Sequence, residues 1–214
     1  APYQTLRCPA KEPPQAVFVV IPGNPGIASF YQRFAAAVNA QLAADVQVMG
    51  LAGHVGRGTP GYNAFGSVPT LSDQLDHLCS TIKPLAERCQ AEKMQLIILG
   101  HSIGCWLALM VARRLRAEAT LKDVSPQLLL VTPYLQNNRD VRSFEVKYQL
   151  MRWAPWLIPF ICIFAEILGR LPARLKKVLL PIDVSKFDTQ AVKVVQEEML
   201  CFGAVNNYLR LGRT

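Results

Sequence analysis

The stretch Leu96-Ile-Ile-Leu-Gly-His-Ser-Ile-Gly-Cys-Trp-Leu-Ala-Leu-Met110 decides the fold. Its first part is apolar and has the length of a strand, and its last part consists of good helix formers. Between them lies the pentapeptide Gly100-His-Ser-Ile-Gly104, which has the pattern G-x-S-x-G. This order predicts that Ser102 lies on a sharp strand-to-helix turn, the arrangement called a nucleophile elbow.

A serine on such a turn can act as a nucleophile. We expect that side chains at Gly100 and Gly104 would collide with the neighbouring strand and helix, so that only small residues fit there. The turn presents the Ser102 hydroxyl above the edge of the sheet. It also leaves the backbone N–H of Ile103 free at the helix N-terminus, where it can bind an oxyanion. The flanking pattern favours a catalytic Ser102 over a chance pair of loop glycines.

The composition is that of one folded domain. With 214 residues, of which 51% are hydrophobic, the chain can bury a large core. A net charge of +8 suits nucleic acid or an anionic lipid surface. The basic residues form no long tract and are not interleaved with aromatic residues. We therefore expect no nucleic-acid partner.

The six cysteines favour a reduced, cytosol-facing protein. They form no C-x-x-C pair and no metal-ligand spacing with histidine, and several lie within apolar runs. We interpret them as small packing residues. We expect no metal or organic cofactor, and the sequence does not indicate the oligomeric state.

Strands and helices alternate along the first two thirds of the chain. Apolar runs predict strands over residues 16–21, 46–51, 95–99 and 127–131. Helical spacing predicts helices over residues 31–42, 70–82 and 105–115. The alternation predicts an α/β fold with a parallel sheet between helices.

This pattern also sets the expected boundaries. We expect an N-terminal extension over residues 1–15, the core over 16–135 and a helical cap or lid region over 136–214. In the helix that begins near residue 70, Thr70 or Ser72 can serve as N-cap. Pro84 is expected to perturb that helix, which resumes from 85 to 92.

The loop Pro22-Gly-Asn-Pro-Gly26 follows the first predicted core strand. In a serine hydrolase of this architecture, that loop supplies the second oxyanion donor. Pro25 has no N–H, so the Asn24 amide is the first candidate and the Gly23 amide the second. An ordinary turn is the alternative, which the downstream Ser102 motif disfavours.

Several segments together resemble one known family, the lipid-droplet-associated hydrolases of the α/β-hydrolase superfamily. They are Val19-Val-Ile-Pro-Gly-Asn-Pro-Gly26, Ser29-Phe-Tyr31, the pair Gly53 and His54, Leu71-Ser-Asp-Gln-Leu-Asp-His77 and Leu99-Gly-His-Ser-Ile-Gly104. The resemblance implies a serine hydrolase of lipid esters, of the sterol ester or acylglycerol type. It also implies attachment to lipid droplets and the endoplasmic reticulum. The family's serine corresponds to Ser102 and its oxyanion loop to residues 22–26.

No histidine follows Ser102 in this sequence. The fold orders its triad as serine, then acid, then histidine, so neither His54 nor His77 is the expected base. We interpret His54 as loop structure and His77 as a surface or structural residue. The remaining candidate acids, Asp140, Asp183 and Asp188, do not clearly follow a core strand. We therefore expect a chain that lacks the family's C-terminal strands and that is a negligible esterase by itself.

Residues 153–168 form the most apolar segment of the chain. The segment is shorter than the roughly 20 residues that a spanning helix needs, and Pro155, Pro159 and Glu166 interrupt it. Trp153, Trp156 and Phe160 with basic flanks suit a droplet or membrane surface. A lid that packs on the core is the equal alternative. The competing function is a non-catalytic lipid-surface protein on the same scaffold.

Overall fold

The computed structural model describes residues 3–60, 62, 68–121, 123–135, 149, 152–179 and 188–211. In these ranges a five-stranded sheet forms the centre of the molecule, with strand order β1-β3-β2-β4-β5. The strands are β1 (Thr5–Cys8), β2 (Ala16–Ile21), β3 (Ala44–Met49), β4 (Gln95–His101) and β5 (Gln127–Val131). Strands β2 to β5 run parallel, and β1 runs antiparallel to β3.

The four predicted core strands are confirmed, but β1 was not predicted. Residues 1–15 were expected to form an extension, whereas Thr5 pairs with Met49 and Cys8 with Val46. The sheet is therefore mixed rather than wholly parallel. A four-residue strand that pairs only with a distant strand has too short a hydrophobic pattern to be recognised locally.

Helices cover both faces of the sheet. They are α1 (Gln32–Gln41), α2 (Leu71–Glu92) and α3 (Ile103–Ala117). Strand β2 is buried along its whole length, as expected for a central strand between two helical layers. The helices α2 and α3 pack on one face around Ile98 and Leu107, and α1 packs on the other around Phe18 and Val46.

Helix α2 begins at the predicted cap and continues through the predicted break. Thr70 Oγ1 accepts from the Asp73 amide at 3.2 Å, and Asp73 Oδ2 accepts from the Thr70 amide at 2.7 Å. This capping box fixes the helix start. The expected interruption at Pro84 was wrong, because α2 is continuous. Buried residues on both sides of the proline, including Ile82 and Ala86, hold the two halves on the core.

The C-terminal part of the described chain is helical. It contains α4 (Leu157–Arg170), α5 (Ala173–Leu179), α6 (Thr189–Val194), a π-helical turn (Val195–Met199) and α7 (Phe202–Arg210). Helix α4 packs on α7 through Ile158, Cys162 and Leu209. Arg57, in the loop after β3, forms an ion pair of 3.1 Å with Glu166 on α4. This pair ties the helical region to the core.

Helix α7 covers the carboxyl end of the parallel strands. Its Tyr208 carbonyl accepts from Asn24 Nδ2 at 2.9 Å, and its buried Asn207 donates to the Gly53 carbonyl at 3.0 Å. Both contacts reach loops that follow parallel strands, where ligands bind in open α/β sheets. Among the helices described, none combines the length and the apolar character needed to cross a membrane.

Candidate active site

Ser102 lies at the junction of β4 and α3 in a rare backbone conformation. Its φ is 54° and its ψ is −120°, a region that residues with a side chain seldom occupy. The Ser102 amide donates to the Val131 carbonyl at 3.0 Å, and its carbonyl accepts from the amides of Cys105 and Tyr134 at 3.0 and 3.1 Å. These three bonds hold the strained conformation in place, as happens at functional turns.

The two glycines of the pentapeptide are required by close approach. A Cβ atom on Gly100 would lie 2.5 Å from the Gly104 carbonyl oxygen, and one on Gly104 would lie 2.3 Å from the Ile21 carbonyl oxygen. Real Cβ atoms do not approach backbone atoms so closely. The predicted collisions with the helix and with the neighbouring strand are confirmed, so the glycines let β4 turn directly into α3.

The loop of residues 22–26 lies against Ser102. A Cβ atom on Gly23 would be 3.0 Å from the Ser102 Cβ atom and 3.1 Å from His101 Nδ1. The pairing of Ile21 with Gly100 at the ends of β2 and β4 explains this contact. The sequence prediction that the loop after β2 and the turn after β4 meet is therefore confirmed.

The hydrogen bonds of this loop leave one amide available. Pro22 and Pro25 have no N–H, the Gly23 amide donates to the Tyr31 hydroxyl at 3.0 Å, and the Gly26 amide donates to His54 Nδ1 at 3.1 Å. The Asn24 amide has no acceptor among the described residues. This arrangement disfavours Gly23, the second candidate, and retains Asn24.

Ile103 supplies the other predicted amide. It is the first residue of α3, so its N–H has no partner within the helix, and no described residue accepts from it. The N-terminus of a helix carries a partial positive charge. A free amide at that position can therefore stabilise a developing negative charge beside Ser102.

Each of the three histidines has a defined environment. His54 is buried and accepts from Gly26, as expected for a loop-structure residue. His77 packs its ring against Tyr3, with 3.9 Å between ring centroids. His101 Nδ1 lies 2.6 Å from the Tyr31 hydroxyl. In the described part of the chain, no histidine hydrogen bonds to Ser102 Oγ.

The contact between Tyr31 and His101 was not predicted. Burial lowers the pKa of the His101 imidazole below 6.5 and raises the pKa of the Tyr31 hydroxyl above 10.0, so both groups are neutral near pH 7. Both residues lie in the segments that carry the family resemblance. Their position in those segments was the sequence feature that could have pointed to them. Their contact, however, depends on the three-dimensional arrangement of β4 and the turn Ala28–Tyr31.

Among the candidate acids, only Asp188 lies within the described residues. It caps α6 by accepting from the Gln190 amide at 2.7 Å, and it forms an ion pair of 2.5 Å with Arg33. Asp140 and Asp183 lie outside the described ranges. In the part of the chain that is described, no three His, Cys, Asp or Glu side chains converge as a metal site.

The apolar segment after residue 152 has two different faces. Ile158, Cys162, Ala165 and Leu168 are buried on the side of α4 that faces the core. Phe160, on the opposite side of α4, is 63% exposed, and Trp153 and Trp156, which precede the helix, are 72% and 64% exposed. The buried side of α4 packs on α7, and the exposed side chains form a large apolar patch in solvent, as at sites of interaction with a partner.

Comparison with known families gives one match over most of the chain. The family model described as lipid-droplet associated hydrolase matches residues 14–214. A lipid droplet-associated hydrolase of Gallus gallus is 27% identical over 147 residues, covering 59% of this chain and 44% of that protein. Its counterpart in Dictyostelium discoideum is 28% identical, covering 67% and 46%. The chain thus spans about half the length of these curated relatives.

Solved structures with a similar fold are α/β-hydrolases. MenH from S. aureus superposes with a TM-score of 0.58 at 15% identity, covering 97% of this chain and 69% of that one. A soluble variant of monoglyceride lipase from Saccharomyces cerevisiae gives 0.55 at 12% identity, covering 98% and 64%. At such low identity these likenesses concern the fold, and the predicted α/β-hydrolase fold is confirmed.

Proposed function

Because this chain belongs to the lipid-droplet associated hydrolase family, we propose that Ser102 is the nucleophile of a serine hydrolase that acts on lipid esters. The substrates are of the sterol ester or acylglycerol type. The protein works at the surface of lipid droplets and of the endoplasmic reticulum, on the cytosolic side. The family match supports a hydrolase, and the serine mechanism and the substrate class are part of the proposal.

The geometry of Ser102 is the strongest support for its role as the nucleophile. This serine lies between β4 and α3 in a strained backbone conformation, and its backbone N–H and carbonyl are both hydrogen bonded. A loop with one available amide contacts it. An ordinary loop serine has no need of such a conformation, since strain of this kind persists only where the surrounding structure enforces it. The conformation supports a nucleophile elbow at Ser102.

The proposed reaction proceeds through an acyl-enzyme. Ser102 Oγ attacks the ester carbonyl carbon while a base takes its proton, and the N–H groups of Ile103 and Asn24 stabilise the oxyanion. The C–O bond to the alcohol breaks, and the base returns the proton to the departing alcohol. Water then hydrolyses the acyl-enzyme by the same route in reverse. This chemistry needs neither a metal nor an organic cofactor.

The described residues do not supply the base of the proposed reaction. His54 and His101 hold other groups, and His77 lies on α2 beside Tyr3. We propose that the histidine and the acid come from outside these 214 residues. The chain alone is then expected to retain only the slow rate that an oxyanion site provides without a base.

Exposed aromatic residues at and before the start of α4 support the proposed location. Phe160 is exposed on α4, Trp153 and Trp156 are exposed just before it, and Arg152 and Arg170 flank this segment in sequence. Aromatic rings flanked by basic side chains suit an interface between water and lipid. A droplet surface is a lipid monolayer over oil, so a segment too short to span a bilayer can still embed in it.

The second candidate is a non-catalytic lipid-surface protein on the same scaffold. It is favoured by the exposed apolar patch together with the absence, among the described residues, of a histidine bonded to Ser102 Oγ. This function requires the exposed apolar patch but not the hydroxyl of Ser102.

An assay of the full-length protein separates the two functions. Hydrolysis of emulsified cholesteryl and glyceryl esters is measured for the wild type, for Ser102→Ala and for Ser72→Ala. Ser72 is an exposed serine on α2 and serves as the matched control. Loss of turnover in Ser102→Ala alone supports the serine hydrolase. Equal turnover in all three proteins contradicts Ser102 as the nucleophile. No turnover in the wild type together with normal lipid binding supports the second candidate.

A further inference from the structure

Tyr31 and His101 form a hydrogen-bonded chain that ends on the loop beside Ser102. The Gly23 amide donates to the Tyr31 hydroxyl oxygen at 3.0 Å, and that oxygen lies 2.6 Å from His101 Nδ1. His101 immediately precedes Ser102, and a Cβ atom on Gly23 would lie 3.1 Å from its Nδ1. The chain therefore joins the loop after β2 directly to the end of β4.

The direction of each bond follows from the available protons. The Gly23 N–H is a donor, so the Tyr31 oxygen accepts it and keeps its own hydrogen for a further bond. Neutral His101 can accept that hydrogen at Nδ1 if its proton is on Nε2. Burial lowers the pKa of His101, which favours this neutral form. Every member of the chain is then satisfied by the next one.

The two ends of the loop are anchored differently. At the Gly26 end, His54 Nδ1 accepts the amide, and the Gly26 carbonyl also accepts from the Leu51 amide at 2.8 Å. At the Gly23 end, the Tyr31 hydroxyl is the acceptor of the amide. The neighbouring Pro22 and Pro25 have no N–H to contribute. The orientation of the next peptide, which carries the Asn24 amide, therefore depends on this bond to Tyr31, together with the bond of 2.9 Å from Asn24 Nδ2 to the Tyr208 carbonyl.

We propose that Tyr31 and His101 are a positioning pair that holds the Asn24 amide towards the oxyanion formed at Ser102. The inference rests on the proposed hydrolase function. Neither side chain touches the reacting atoms in this role. Tyr31 occupies the Gly23 amide and so fixes the loop, and His101 fixes the Tyr31 hydroxyl. The pair also explains why a residue with an acceptor atom precedes the nucleophile.

The test is a set of variants of the full-length protein, measured for ester hydrolysis and for the rate of reaction with a fluorophosphonate. Tyr31→Phe keeps the ring but removes both hydrogen bonds. We expect kcat to fall by about 10- to 100-fold with KM nearly unchanged, because the donor acts on the transition state. The fluorophosphonate rate falls by a similar factor. Tyr3→Phe removes an exposed tyrosine hydroxyl elsewhere and is the matched control.

Variants of His101 separate positioning from general structural damage. Asparagine places an acceptor oxygen close to the position of Nδ1, so we expect His101→Asn to keep kcat within about threefold of the wild-type value. Leucine has no acceptor, so His101→Leu lowers kcat as Tyr31→Phe does. The double variant Tyr31→Phe with His101→Leu falls no further than Tyr31→Phe alone, since both changes break one chain.

The outcomes distinguish this inference from the proposed function. If the wild type hydrolyses esters through Ser102 and Tyr31→Phe matches its kcat, the positioning role is overturned and the hydrolase stands. A change confined to KM, or additive losses in the double variant, also overturns it. If the wild type neither hydrolyses esters nor reacts with the fluorophosphonate, both proposals fall together.

Discussion

A Cβ atom on Gly23 would lie 3.0 Å from the Cβ atom of Ser102, so the loop after β2 is in direct contact with the turn after β4. The two residues are far apart in sequence, but β2 and β4 are parallel neighbours whose ends coincide at Ile21 and Gly100. Two short glycine-containing segments thus form one site because their strands are adjacent. This contact brings the Asn24 amide of the loop close to the turn that carries the Ser102 hydroxyl.

Substitution of Gly23 by alanine tests the contact. The added methyl group forces either Ser102 or His101 to move by a few tenths of an ångström. We expect the free energy of unfolding to fall by about 1 kcal/mol. We expect ester hydrolysis to fall by at least about tenfold, since the nucleophile and the oxyanion donor no longer align.

The control for this substitution is Gly58→Ala, because a Cβ atom at Gly58 would meet nothing within 4 Å. Chemical denaturation and steady-state kinetics on both variants give the comparison. Equal kinetics in the two variants would contradict close packing between the loop and the serine.

Backbone strain at Ser102 predicts an unusual gain in stability. With φ of 54° and ψ of −120°, this residue occupies a region that glycine adopts readily. Ser102→Gly should therefore be more stable than Ser102→Ala by about 1 kcal/mol, although both lack the hydroxyl. Denaturant unfolding measures the difference. A glycine variant that is less stable than the alanine variant would show that the turn is not strained.

The exposed aromatic residues at and before the start of α4 predict lipid binding by the full-length protein. Replacement of Trp153, Trp156 and Phe160 by serine should lower partitioning onto phospholipid-coated oil droplets by more than about 100-fold, since each buried aromatic side chain contributes roughly 1.5–3 kcal/mol. Flotation with the droplets measures it. Phe34→Ser with Leu42→Ser, at exposed apolar positions elsewhere, is the control. Unchanged flotation of the triple variant would leave α4 as a lid alone.

The histidine environments predict loss of stability in mild acid. Burial lowers the pKa values of His77 and His101 below 6.5, so the unfolded chain binds protons before the folded protein does. Their contribution is intact above pH 6.5 and is lost as the pH falls from there towards the folded-state pKa values. Thermal unfolding between pH 7.5 and 5 measures it.

The double variant His77→Asn with His101→Asn provides the comparison for this pH dependence. It retains the carboxylates of the wild type, among them Glu198, whose pKa burial raises. The difference between the two proteins therefore reports the histidines. If both lose stability in parallel over this range, His77 and His101 are not the cause.

The sequence predicted those features that are determined locally. The turn at Ser102 follows from five consecutive residues, and the four core strands follow from continuous apolar runs. Helix α2 shows the limit of this approach, because packing on the core overcomes the local effect of Pro84. Strand β1 shows it as well, since it forms only by pairing with β3.

The finer structure of the site was beyond sequence patterns. Gly23 was the second candidate predicted for the oxyanion donor, but its amide donates to the Tyr31 hydroxyl. That contact depends on where the turn Ala28–Tyr31 lies. Likewise, residues 153–168 were apolar enough for either a lid or a lipid contact. Packing of α4 on α7 decides which of those side chains are buried.

The site of covalent modification tests the central claim most directly. The full-length protein is treated with a fluorophosphonate, digested with trypsin and analysed by mass spectrometry. Cleavage after Lys93 and Arg113 releases a peptide in which Ser102 is the only hydroxyl-bearing residue. We predict the phosphonyl group on this peptide and on no other serine-containing peptide of the protein. A modified serine in another peptide, or ester hydrolysis without modification of this one, would contradict the account.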